Sequence, residues 1–134
     1  MFNLSNDTEL KEKENVNEDV YDKDLLDQLL QDGDIDAFRE EFLSMHNYEQ
    51  SEYFEDTDEE KRQKIFEFLS PSEVADFFDH LDIDDEEYEE LFDNINANYA
   101  SHILEEMSYD NAVDILNELS KPKVASLLTL MNNE

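Results

Sequence analysis

The sequence predicts an all-α chain, a superhelix (solenoid) of about eight or nine short helices, right- or left-handed. Three observations predict it. Glycine occurs once (Gly33) and proline twice (Pro71, Pro122) in 134 residues, and no Asn-Gly or Asp-Gly hairpin turn follows an alternating strand pattern. Apolar residues recur at steps of 3, 1 and 3, which is one face of a helix. That register then repeats along the chain, as in stacked helical repeats.

Residues 1–23 form an acidic leader whose apolar residues make no sustained stripe, so it is expected to be disordered or partly helical. The folded domain is expected over residues 24–134. Leu25, Leu26, Leu29 and Leu30 have helical spacing, and Gly33 stands where a helix end favours positive φ. A second helix carries Ile35, Phe38 and Phe42 on its apolar side.

From Asp56 the sequence repeats itself: residues 56–69 align without gaps to residues 82–95, an offset of 26. The segments opening at Ser70, Asn96, Ser108 and Ser120 share one register. Its apolar slots are Val74, Ala100, Ala112 and Val124; Phe77, Ile103, Ile115 and Leu127; Phe78, Leu104, Leu116 and Leu128; Leu81, Met107, Leu119 and Met131. Each polar opening reads as an N-cap. Ser70 with Pro71 and Glu73 has the makings of a capping box. Helices of ten or eleven residues with links of one to three are expected.

Charge narrows the function. The chain has 39 Asp plus Glu against 9 Lys plus Arg, a formal net charge of −30. Two carboxylates ~5 Å apart in water repel by roughly 0.8 kcal/mol, less with salt, and divalent cations relieve such a surface. Nucleic acid and anionic lipid are excluded as direct ligands, because both require clustered cations. There is no cysteine, hence no disulfide framework or thiolate metal site, in keeping with a cytosolic location. The first ten residues have no basic and apolar signal pattern. Uncharged runs such as residues 124–133 fall far short of the ~20 residues of a membrane span, so no membrane insertion by this segment is expected.

Nor does the sequence read as an enzyme. His46, His80 and His102 are scattered with no i, i+4 pair, and the single glycine rules out a Rossmann fingerprint or P-loop. Asp32, Gly33, Asp34 and Asp36 open like an EF-hand loop, but Ala37 stands where Gly is required and Leu43 where the bidentate Glu belongs. These acids read instead as residues at helix starts, favoured by the macrodipole. Asp110 and Asp114, at i, i+4 after Ser108, put two carboxylates on one face, turned away from the Ala112, Ile115, Leu116 and Leu119 stripe. A hard cation such as Mg²⁺ takes one or two carboxylates and keeps several waters. On spacing alone a solvated acidic face also accounts for the pair.

Two strings resemble a known family: Ser70-Pro-Ser-Glu-Val-Ala-Asp-Phe-Phe-Asp-His-Leu-Asp82, and Ala100-Ser-His-Ile-Leu-Glu-Glu-Met-Ser-Tyr-Asp-Asn-Ala-Val-Asp-Ile-Leu116. Together with Gln31-Asp-Gly-Asp34 they resemble the intracellular N domain of MgtE magnesium transporters, over residues 24–134. The resemblance implies a regulatory domain at the cytoplasmic face of the cell membrane, followed by CBS domains and a pore domain that lie outside these 134 residues. It implies weak, regulatory Mg²⁺ binding, with the cation bridging this domain to the CBS domains of the same transporter chain, which works as a homodimer. High Mg²⁺ would close the assembly and shut the pore. Asp110 and Asp114 match the family's metal-binding aspartates, and Asp76 matches a further acidic position. Asn98 and Asn111 depart from residues common in related sequences. A helical-repeat scaffold for protein–protein interaction, like the repeats of flagellar motor switch proteins such as FliG, is the alternative that the periodicity supports.

Overall fold

The computed structural model describes residues 21–131. Nine α-helices run through them: α1 Lys23–Asp32, α2 Ile35–Leu43, α3 Asn47–Glu55, α4 Glu59–Phe68, α5 Pro71–Phe78, α6 Asp85–Asp93, α7 Ala97–Glu106, α8 Tyr109–Glu118 and α9 Lys121–Met131. No strand occurs among the described residues. The acidic leader falls outside them up to residue 20. Of its last three residues, Tyr21 packs edge-on against Tyr53, the Asp22 carboxylate accepts from the Leu25 amide at 3.1 Å, and Lys23 opens α1.

The helices begin at residues 23, 35, 47, 59, 71, 85, 97, 109 and 121. Each start lies 12 residues after the last, except 85 − 71 = 14. The 26-residue offset in the sequence is therefore one ordinary step plus the longer one. The two additional residues lie in the link 79–84, six residues where one to three were expected.

Short polar caps make this step possible. The side chains of Asp34, Asp58, Ser70 and Asp84 each accept from an amide three residues on, at 3.2, 2.9, 3.2 and 2.9 Å, satisfying N–H groups that a helix start leaves open. The Ser70 amide in turn donates to Glu73 at 2.9 Å, which completes the expected capping box. Gly33 ends α1 at φ 71°. Its amide donates to Leu30 O and that of Asp34 to Leu29 O, the paired bonds of a Schellman motif. Asp34 then caps α2 at once and Asp36 lies in its first turn, as the helix-start reading expected, whereas Asp32 is the last residue of α1.

Alternate helices pack on one another over much of the stack, α3 on α5, α5 on α7, α7 on α9, α2 on α4 and α6 on α8, while α1 packs on α2 and α4 and α7 also meets α8. Such pairing is what a stacked two-helix repeat produces. The core runs along the stack through one slot, eight residues after each cap. It holds Leu30, Phe42, Phe54, Phe66, Phe78, Phe92 and Leu104, none more than 8% exposed. Phe54, Phe66, Phe78 and Phe92 touch in succession, with ring centroids 5.7, 6.3 and 6.1 Å apart. Aromatic pairs at this range contribute about 0.5–1.5 kcal/mol beyond their burial.

Three residues depart from the expected apolar faces. Leu25, Ile35 and Leu128 are 38%, 45% and 41% exposed. Leu25 lies a helical step of ~100° from the Leu26–Leu30 edge, so a short helix packed along a single stripe leaves it outside. Ile35 is the first residue of α2, a full turn ahead of Phe38. Leu128 occupies the core slot of α9, but that helix rests on α7 through Leu127, the one α9 residue that is buried. Helix lengths run from eight to eleven residues, slightly shorter than expected.

Candidate functional site

Asp110 sits in the first turn of α8 and Asp114 one turn further on, and both are exposed. Ala112, Ile115 and Leu119 face the core. The stripe therefore fixes the helix rotation, and the rotation places both carboxylates outward, as their spacing indicated. Asp76 is exposed on α5, between buried Ala75 and Phe77. It belongs to a different helix, and no described interaction joins it to the α8 pair.

The structure brings other acids to Asp114. A cleft of about 340 Å³ between α6 and α8 is lined by Asp79, Asp85, Asp114 and Glu118, with Tyr88 and Asn111. A hydrogen bond shared with Asp85 pushes the Glu118 carboxyl above its ordinary range, with the Asp85 and Asp114 charges acting in the same direction. Burial raises the Tyr88 phenol, helped by the charges of Glu55, Asp82, Glu118 and Asp114. Glu55 is itself raised by burial while it accepts from the Asp82 amide at 2.8 Å. Negative charge is thus concentrated where α8 faces α6. Glu118 follows Asp114 at i+4 on α8, which spacing shows, whereas Asp79 and Asp85 belong to the 79–84 link and to α6 and come close only through packing.

The start of α8 has an unusual anchor. Ser108 is its N-cap, yet the hydroxyl makes no cap bond to its own helix. It donates instead to Asp79 Oδ1 at 3.1 Å, and the Ser108 amide donates to the same oxygen at 3.2 Å. Asn111 Nδ2 reaches Asp79 Oδ1 at 3.1 Å and Ser108 Oγ at 2.9 Å.

Among the described residues, no group of three or more His, Asp or Glu is placed to hold a metal ion by itself. His46, His80 and His102 are exposed and lie on three different elements, scattered as the sequence indicated. No helix among the described residues is long and apolar enough to cross a membrane.

The family model for the MgtE intracellular N domain matches residues 45–134. The magnesium transporter MgtE of Enterococcus faecalis (strain ATCC 700802 / V583) is 40% identical over 77 residues, which are 58% of this chain and 17% of that protein. A solved structure, the soluble part of a magnesium transporter, superposes with a TM-score of 0.78 at 40% identity, covering 81% of this chain and 42% of that one. This chain thus spans less than half the length of either relative. The matched family is one of transporter domains rather than of enzymes. By the match over residues 45–134 and the helical stack that carries it, the chain belongs to the MgtE intracellular N domain family.

Proposed function

We propose that this chain is the Mg²⁺-sensing regulatory domain of a magnesium transporter, acting at the cytoplasmic face of the membrane. Mg²⁺ bridges its Asp110 and Asp114, with Asp76 as a further ligand, to CBS domains of the same chain in a homodimeric transporter. The observation that carries this reading is the outward placement of both α8 aspartates in a chain of net charge −30. Carboxylate oxygens suit a hard cation that binds one or two of them and keeps its remaining waters. A like-charged i, i+4 pair costs an isolated helix about 0.2–0.5 kcal/mol, and a bound cation reverses that sign. The remaining ligands come from water and from the partner surface, which makes the bound cation a bridge.

Regulation then follows from differential affinity. The cation shifts the balance toward the docked arrangement only by as much as it binds that arrangement better. At low Mg²⁺ the carboxylates repel the partner surface and the domain separates; at high Mg²⁺ it docks and the pore shuts.

Two measurements test this. Calorimetric titration of the chain alone should give weak Mg²⁺ binding, and tight binding would refute a shared site. In the transporter carrying this domain, Asp110→Asn with Asp114→Asn should abolish Mg²⁺-dependent closure. Closure unchanged in that double variant would favour a helical-repeat scaffold instead.

A further inference from the structure

Asp79 closes α5, with φ −62° and ψ −16°, and opens the one long link of the stack, residues 79–84. It lies 29 residues from Ser108 and 32 from Asn111, yet its Oδ1 accepts from the amide and hydroxyl of the first and the carboxamide of the second. Asn111 also donates to the Asp79 carbonyl at 3.4 Å. One carboxylate therefore grips α8 at its cap and at the third residue of its first turn. Two grips three residues apart fix both the position of the helix start and the rotation of the helix about its axis. Asp110 precedes Asn111 directly, and Asp114 follows it by three residues. Their directions are set by the same rotation.

The negative charge of Asp79 also faces the positive end of the α8 macrodipole, where an anion is stabilising. Ser108 has given up its ordinary capping bond to make this tie. A Ser at an N-cap normally stabilises its own helix through that bond. Here the hydroxyl joins two helices rather than ending one.

From this geometry we infer that Asp79 is a positioning residue for the Asp110–Asp114 face: it holds α8 in the rotation that presents both carboxylates, and Asn111 is the contact through which it does so. The inference rests on the function proposed above. Asp79 acts through hydrogen-bond acceptance, so an uncharged acceptor of the same shape can stand in for it.

The test compares Asp79→Ala with Asp79→Asn in the transporter carrying this domain, using the Mg²⁺ midpoint for closure, and in the chain alone, using hydrogen exchange. Asp79→Ala should raise the Mg²⁺ midpoint roughly tenfold, the lower end of the effect of removing a residue that orients a metal ligand. It should also speed amide exchange in the first turn of α8 while α3 and α5 stay protected. Asp79→Asn should retain a midpoint close to that of the unaltered protein. Equal losses in Asp79→Asn and Asp79→Ala would show that the charge matters rather than the anchor, and would overturn the inference. So would unaltered α8 exchange in Asp79→Ala, or a midpoint that does not move while Asp110→Asn moves it. If neither Asp110→Asn nor Asp114→Asn moves the midpoint, the regulatory reading fails first and the inference falls with it.

Discussion

Arg39 holds both carboxylate oxygens of Glu73, Nη1 to Oε1 at 2.6 Å and Nη2 to Oε2 at 2.8 Å, across 34 residues of sequence. The same guanidinium donates to the Phe68 carbonyl at 3.2 Å. Glu73 is already the third residue of the α5 capping box. One fork therefore ties α2 to the end of α4 and the start of α5. Among the described residues, this is where a cation meets an acid with two-pronged geometry.

Removing the fork should be costly for a surface pair. Arg39→Ala is expected to lower stability by about 1–2 kcal/mol, toward the lower figure because the Arg39 side chain is 36% exposed. Arg39→Lys should recover less than half, since an ammonium cannot hold two oxygens in a plane. Urea unfolding measures both. A midpoint for Arg39→Ala equal to that of the unaltered chain would make the pair a bystander.

The pH response should have two limbs of opposite sign. Bonding to Arg39 holds the Glu73 carboxyl below its ordinary range. Its contribution is complete above that range and is lost as pH falls through the depressed value. Glu55, through burial, and Glu118, through its bond to Asp85, lie above the ordinary range. The folded state binds their protons more readily than the unfolded state, so their contribution grows on acidification and is lost as pH rises. Thermal stability should therefore rise from pH 7 to about pH 5 and fall below about pH 4. Added salt should shrink the rise by screening the repulsion. Arg39→Ala should flatten the acid limb and leave the rise intact.

Most of the fold was legible because it is written as a period. Val74, Phe77, Phe78 and Leu81 set a register, and its recurrence at Ala100, Ile103, Leu104 and Met107 reports helices before any contact is known. The step of 12 extends back to Lys23 as well, but Gln50 and Arg62 occupy slots that are apolar elsewhere, and these polar residues mask it. Gln50 is buried there because its side chain donates to the Phe42 carbonyl at 2.8 Å, a bond between helices that no local pattern carries. The site was legible to the same depth. The i, i+4 spacing of Asp110 and Asp114 fixed their shared face, and Glu118 extends it by the same step, whereas Asp79 and Asp85 reach that region only through packing. Charge counted along a chain does not say which acids will meet.

The core slot eight residues after each cap gives a graded prediction. Phe78 is 2% exposed and touches Phe54, Phe66, Phe77 and Phe92, so Phe78→Ala should cost about 3–5 kcal/mol. Leu128 fills the same slot in α9 at 41% exposure, and Leu128→Ala should cost less than about 0.5 kcal/mol. Chemical denaturation of the two variants compares them directly. Similar losses would mean that α9 is covered in solution, contrary to the structure.

Gly33 supplies the final prediction, because here the backbone alone decides. Its φ of 71° lies in the left-handed region, and a Cβ built there would meet nothing within 4 Å. Steric clash with neighbours is therefore absent, and the penalty of Gly33→Ala is the conformational term, about 1 kcal/mol. Asn tolerates this region better, so Gly33→Asn should lose less than Gly33→Ala. Asp34→Ala, which removes the α2 cap, should cost about 1 kcal/mol by a separate mechanism. The two residues are adjacent and share the α1–α2 link, so the double variant should depart from the sum of the single effects. Equal stability of Gly33→Ala and the unaltered chain in thermal unfolding would show that the link does not adopt the left-handed turn in solution. A turn that takes glycine for its φ is followed at once by a capping aspartate, which accounts for the Gly33-Asp34 pair.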